Sequence, residues 1–403
     1  MSQSPEAASK SIRQALPAQV WALGMVSLLT DVSSELVHAL LPLLLVGSLG
    51  VSMLMLGLIE GLSEGTASIV KLFAGAISDR FRRRKPLIVV GYGLSALTKL
   101  VFPLAGSAAS VLTARLFDRF GKGIRGAPRD ALIADVTPEA QRGAAYGLRQ
   151  SLDTVGAVIG PVAALGLMFW LGVVQHALWF AAIPGLLAVM VLVVFVREPE
   201  QIGAPAGKRF SLRDWRQLGK PLWQVLALCT ILGLARFGEG FLVIQGRDVG
   251  LGDRFAPLTL VLMSLVFTLL AYPVGLLADR WPRMRLLMLS VLMLLAADVA
   301  LALAPNLYVF GLGIALWGAH LGFSQGVLSA MLADVAPKAL RGTAFGVFHL
   351  LSGLSAIAAS VLAGWVWQRF GAPVMFAVAG GLSLLALLVA AVMRPTATAV
   401  SST

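Results

Sequence analysis

A chain of 403 residues that is 58% hydrophobic and 13% charged, with a mean hydropathy of +0.85, is excluded from ordinary soluble composition. Its net charge of +12 reflects topology rather than nucleic-acid binding, because the basic residues are split among short loops between apolar runs. The single cysteine, Cys229, allows no internal disulfide and lies in an apolar run.

Apolar stretches of about 20 residues, enough to span roughly 30 Å of hydrocarbon, recur along the chain. A polar tail over 1–19 precedes the first of them, which is too long and too charged inside for a cleaved signal peptide. Helices are predicted at 20–48, 53–77, 86–106, 108–136, 143–169 and 174–196, forming a first bundle over 20–196. A polar linker over 197–221, rich in charge, Pro and Gly, follows. A second bundle over 222–393 holds helices at 222–246, 256–278, 286–304, 307–335, 342–368 and 372–393, and 394–403 is a short tail. The expected fold is an all-α polytopic membrane protein with twelve transmembrane helices in two pseudo-symmetric six-helix bundles.

On these spans about twenty Lys and Arg fall on the side of the tails and linker and about three on the other. Both termini are therefore expected in the cytoplasm, with the chain in an inner (cytoplasmic) membrane. Trp21, Trp170, Trp179, Trp223 and Trp367 fall near helix ends, where an indole buries its ring and keeps its N–H wet.

The halves repeat. Gly75, Asp79 and Arg80 recur as Gly275, Asp279 and Arg280 at an offset of 200. Ala134-Asp135-Val136, Pro138, Arg142, Gly143 and Gly147 recur as Ala333-Asp334-Val335, Pro337, Arg341, Gly342 and Gly346 at an offset of 199. In transporters such a duplication places a substrate site between halves near the bilayer midplane, where rocking alternates access.

The segment Gly75 to Lys85, GAISDRFRRRK, resembles the loop signature between helices 2 and 3 of the major facilitator superfamily, and Gly275 to Arg285, GLLADRWPRMR, resembles its second copy; the family resemblance covers essentially the whole chain. The resemblance implies a conformational latch at Gly75, Asp79, Arg80, Arg83 and Arg84, with Gly275, Asp279 and Arg280 in the second copy. Arg82 and Pro282 stand where the family usually has glycine. A positive-inside loop without a mechanical role is the alternative. In helix 5, Gly156, Gly160 and Pro161 resemble the core of an antiporter motif, although close helix packing explains the same spacing equally well. Arg115 takes the place of a helix 4 arginine that antiporter members use beside a helix 1 acid; Asp118 and Arg119 stand where glutamine and glycine are usual. DVSSELVHALLP, GLIEGLSEGTASIVK and DRFGKGIRGAPRDALIADV resemble a heavily charged branch of bacterial permeases of unassigned substrate.

Ionisable groups in hydrocarbon cost at least about 2.5 kcal/mol each on insertion scales, so those retained line a cavity or pair. Asp31, Glu35 and His38 share one face of helix 1, and Glu60 and Glu64 lie one turn apart on helix 2. Arg115, Arg119, Lys122, Arg125 and Arg129 form a basic face on helix 4, flanked by Asp118. At 1.5 Å per residue, Asp31 and Arg119 both lie roughly 15 Å from the cytoplasmic edge, and Glu60 and Glu64 are predicted near the levels of Arg115 and Arg119. Acids and bases at one depth lower each other's desolvation cost and offer a proton site, or else form a structural network. In the second half Arg236, Glu239, His320 and Gln325 are cavity candidates.

The expected function is secondary active transport by alternating access: proton-coupled export of a small amphipathic or anionic compound. Proton symport for uptake and lipid flipping are the alternatives. An intramembrane enzyme is disfavoured by the lack of GxSxG, HExxH or a His/Cys cluster. No metal and no cofactor is expected beyond the proton as coupling ion. The expected partners are a small-molecule substrate and the lipid bilayer, with no nucleic acid, around a monomer.

Overall fold

The computed structural model describes residues 16–80, 84–198, 219–278, 280–337 and 340–393, with the side chains of 75–80 left aside. Among these residues eleven helices are long and apolar enough to cross a membrane. In the first half they are α1 (Ala18–Ser48), α2 (Met53–Arg80), α3 (Lys85–Leu104), α5 (Arg142–Leu171) and α6 (Val174–Phe195). In the second they are α7 (Lys220–Phe255), α8 (Leu258–Ala278), α9 (Arg283–Ala302), α10 (Leu307–Val335), α11 (Arg341–Phe370) and α12 (Ala372–Val392). The remaining long helix, α4 (Ala108–Val136), has 29 residues but carries too much charge to qualify by composition. The protein is thus an all-α polytopic membrane protein.

Local chemistry sets the helix ends, and it repeats. Ser107 caps α4 by accepting from the Ser110 N–H at 3.3 Å, and Asn306, 199 residues on, caps α10 by accepting from Tyr308 and Val309 at 3.1 Å. At the other ends of these helices Arg84 pairs with Asp135 at 2.8 Å, and its counterpart Arg283 pairs with Asp334. Arg142 donates to the Ala134 carbonyl and Arg341 to that of Ala333, both at 3.3 Å. The internal repeat is therefore a repeat of bonds as well as of letters.

Two compact units result: residues 1–50 with 66–209, and residues 51–65 with 210–403. The first part of α2 packs with the second unit instead of the first bundle. Its cause is a glycine stripe at Gly57, Gly61 and Gly65, laid against α11. A Cβ on Gly57 would fall 2.1 Å from the Ser360 carbonyl oxygen, and one on Gly61 would fall 3.0 Å from Cα of Ile357. Only residues without side chains let two backbones approach so closely.

The helix 7 expectation is also modified. The apolar run from 222 to 246 predicts one helix, but α7 is interrupted: Lys220–Ala235 ends, Arg236 turns extended (φ −101°, ψ 104°), and Gly240–Gly246 resumes. Beyond it wider turns run over Arg247–Leu251, where the backbone leaves helical geometry at Gly250 (φ 130°), and a short helical turn over Gly252–Phe255 closes the span.

Candidate functional site

In the first unit, α1 and α5 meet through Gly156 and Gly160. A Cβ on Gly156 would lie 2.9 Å from Cβ of Asp31, and one on Gly160 would lie 2.6 Å from Cβ of Glu35. The glycine pair is thus a packing device located at the two helix 1 acids. Pro161 lies inside α5 directly after it. Gly160→Ala is expected to lower thermal stability and disturb Glu35, at a cost of about 1–3 kcal/mol for overpacking. Gly166→Ala on the same helix, where nothing lies within 4 Å, serves as the control in the same unfolding measurement.

His38 and Glu35 lie 3.3 Å apart, Nδ1 to Oε2. Lys122 and Arg125 are in electrostatic reach of Asp31, and Lys122 and Arg119 of Glu35. The basic face of α4 divides along its length. Arg115 and Arg119 are buried and Lys122 is exposed. Arg125 donates to Ser95 Oγ at 2.6 Å with its guanidinium 4.4 Å from the centre of the Tyr92 ring, and Arg129 donates to Ser27 Oγ at 3.1 Å. Asp153 on α5, also near Asp31, pairs with Arg149 at 2.6 Å. Acids of α1 and α5 and bases of α4 therefore form one cluster, with Ser27, Ser95 and Tyr92 as hydroxyl partners.

A further member escapes the sequence reading. Lys99 on α3 donates to Asp118 Oδ1 at 2.8 Å, with side chains only 1% and 2% exposed, and Arg115 lies 4.0 Å from the other oxygen of Asp118. The only sequence signal was a lone lysine inside an apolar run, which costs too much to be retained without a partner.

Glu60 and Glu64 belong to the part of α2 that packs in the second unit. Glu60 is buried against the interruption in α7, where a Cβ on Gly238 would fall 2.7 Å from Cβ of Glu60. The freed Gly238 N–H is satisfied by Ser360 Oγ at 3.0 Å. Arg236 donates from Nε to His320 Nε2 at 2.8 Å and from Nη2 to Ser324 Oγ at 2.5 Å. His320 in turn faces Ser290, with Nδ1 2.9 Å from its carbonyl oxygen. Glu239 begins the resumed helix, in electrostatic reach of Arg236. Gln325 is exposed one residue past Ser324; it is Ser324, not singled out from sequence, that holds Arg236.

The halves use equivalent positions differently. Gly91 and Gly121 bring α3 against α4, where a Cβ on Gly121 would fall 2.6 Å from the Gly91 oxygen. The positions 199 residues on are Ser290 and His320, which bond instead. Lys99 corresponds to Asp298, which accepts from Ser383 Oγ at 3.0 Å. The pairs Glu35–His38, Lys99–Asp118 and Arg149–Asp153 all lie in the first unit.

A model of the Major Facilitator Superfamily matches residues 23–252 and 240–403. The chain belongs to that superfamily. An uncharacterised MFS-type transporter of Methanocaldococcus jannaschii is 29% identical over 361 residues, covering 88% of this chain and 89% of the relative. A multidrug resistance protein of Yersinia enterocolitica, MdtH, is 32% identical over 151 residues, 36% of this chain and 37% of its own. Among solved structures, the nucleoside transporter NupG superposes with a TM-score of 0.75 at 13% identity, over 93% of this chain and 98% of its own.

As a superfamily member the protein is a membrane transporter rather than an enzyme. Of the latch residues, Gly75, Asp79, Arg80, Arg83 and Asp279 lie outside the described residues or side chains. Arg84 holds Asp135, and its main-chain N–H, with that of Lys85, donates to the Glu198 carboxylate at 2.7 and 2.8 Å. In the second copy Gly275 faces open space and Arg280 is exposed.

Proposed function

We propose that the protein is a proton-coupled exporter of a small amphipathic or anionic compound, working by alternating access as a monomer in a bacterial inner membrane with both termini cytoplasmic. One observation carries the coupling: the acid–base cluster of Asp31, Glu35, His38, Lys122, Arg119, Arg125 and Asp153 in the first unit. A carboxyl among competing cations changes its preferred partner when it gains or loses a proton, which biases one conformation over another. Glu60, Glu64, Arg115 and Asp118 complete the set of proton and substrate groups. The latch residues control the cytoplasmic ends. Export is supported by the partial likeness to a multidrug resistance protein and by the helix 5 motif seated on the helix 1 acids.

Everted membrane vesicles with an acidified lumen test both coupling and direction. Adding a transported compound outside, the cytoplasmic face, is expected to discharge the pH gradient in vesicles carrying the protein and not in empty ones. A discharge obtained only with substrate inside the lumen would establish proton symport and overturn export. Flux without proton movement would overturn coupling.

A further inference from the structure

The geometry points to Arg236 as the binding site for an anionic oxygen group of the transported molecule, a carboxylate or a phosphate, held ready at the interruption of α7. This rests on the transport reading above and adds to it the chemistry of the substrate's charged end.

The backbone of α7 is anomalous at this point. Non-helical backbone at membrane depth persists only where it is buried in protein or lines a wet cavity, and discontinuous helices mark binding sites in transporters. The run Arg236-Phe237-Gly238 is non-helical between two helical segments. Its extended turn at Arg236 sends that side chain onto α10.

The contacts there leave a specific part of the guanidinium for a ligand. The group carries five N–H donors in a planar fork and no acceptor. Nε and one Nη2 hydrogen are taken by His320 and Ser324. Because the guanidinium only donates, His320 Nε2 is the acceptor in this bond. The ring proton then sits on Nδ1 and is donated toward the Ser290 carbonyl at 2.9 Å. His320 and Ser324, both fully buried, thus fix the Nε side of the fork with neutral partners. No carboxylate among the described residues lies within 4.0 Å of Arg236, although Glu239 is in electrostatic reach, and the residue is partly exposed. What remains is the Nη1 and Nη2 end of the fork, whose two parallel donors match the two oxygens of a carboxylate or phosphate. Neutral anchors orient the charge without cancelling it. This distinguishes Arg236 from Arg84 and Arg149, which are paired with carboxylates.

Binding to purified protein tests the assignment, with benzoate, phenyl phosphate and benzylamine as probes that share a ring and differ in charge. The anions are expected to raise the unfolding temperature of the wild type, whereas benzylamine leaves it unchanged. The stronger of the two anions tells carboxylate from phosphate. Arg236→Gln should weaken anion binding at least tenfold. Arg236→Lys, which keeps charge and loses the fork, should fall between the two, and Ser324→Ala should weaken binding severalfold by loosening one anchor. Should Arg236→Gln fail to fold, the Lys and Ser324 variants decide alone. Wild-type anion affinity in those variants, or no anion binding by the wild type, overturns the site. Anion binding that depends on Arg236, with flux that moves no protons, sinks the coupling reading and leaves the site standing. Proton-coupled flux of benzylamine with no anion binding does the reverse.

Discussion

Glu35→Gln is expected to abolish transport driven by a pH gradient while leaving substrate binding, and exchange between compartments of equal pH, at wild-type levels. Glutamine keeps the size of glutamate and its capacity to hydrogen-bond, yet cannot gain or lose a proton. Its Cβ still seats against Gly160, and its amide oxygen or nitrogen still reaches His38, so the packing of α1 on α5 is preserved. Only a step that requires the carboxyl to change charge should fail. Asp31→Asn should behave alike, because Asp31 shares Lys122 with Glu35 and sits beside Asp153. Proton flux and substrate flux are measured together in proteoliposomes at matched protein density. If both neutral variants keep full pH-driven transport, the cluster is a structural network and coupling resides elsewhere.

Much of this arrangement was legible in the amino-acid order because hydrocarbon punishes charge and exposes punctuation. The spans predicted at 108–136 and 307–335 coincide with α4 and α10, whose ends are written in Ser107 and Asn306 caps and in Pro138 and Pro337 beyond. The spacing of Asp31, Glu35 and His38 placed them on one helical face, and the structure joins Glu35 to His38. What stayed hidden depends on a second helix. The interruption of α7 lies in a run that composition alone would continue; the Gly238 N–H and the Arg236 side chain find better partners on α11 and α10. Lys99 was invisible as a site residue because Asp118, 19 positions away, meets it only through the α3–α4 packing at Gly91 and Gly121. Likewise the spacing of Gly57, Gly61 and Gly65 was in plain view, but the helix it fits was not.

The Lys99–Asp118 pair yields the sharpest expectation about stability, and it is an ordering. Asp118 lies among three cations: Lys99 at 2.8 Å, Arg115 at 4.0 Å, and Arg119 in electrostatic reach. Lys99→Met removes one of them, and the carboxylate keeps the other two. Asp118→Asn removes a negative charge that faces all three and leaves Lys99, fully buried, without its ion-pair partner. Breaking a buried pair from one side costs about 3–5 kcal/mol, because the surviving charge stays desolvated. Asp118→Asn is therefore expected near the upper end of that range and Lys99→Met near or below the lower. Adding Lys99→Met to Asp118→Asn should restore part of the loss, since it relieves the uncompensated lysine, and this non-additivity is what a double-mutant cycle reads. Thermal unfolding of the four proteins in one detergent measures it. Additive losses, or a lysine variant weaker than the aspartate variant, would show that Asp118 does not hold the cations of α3 and α4 together.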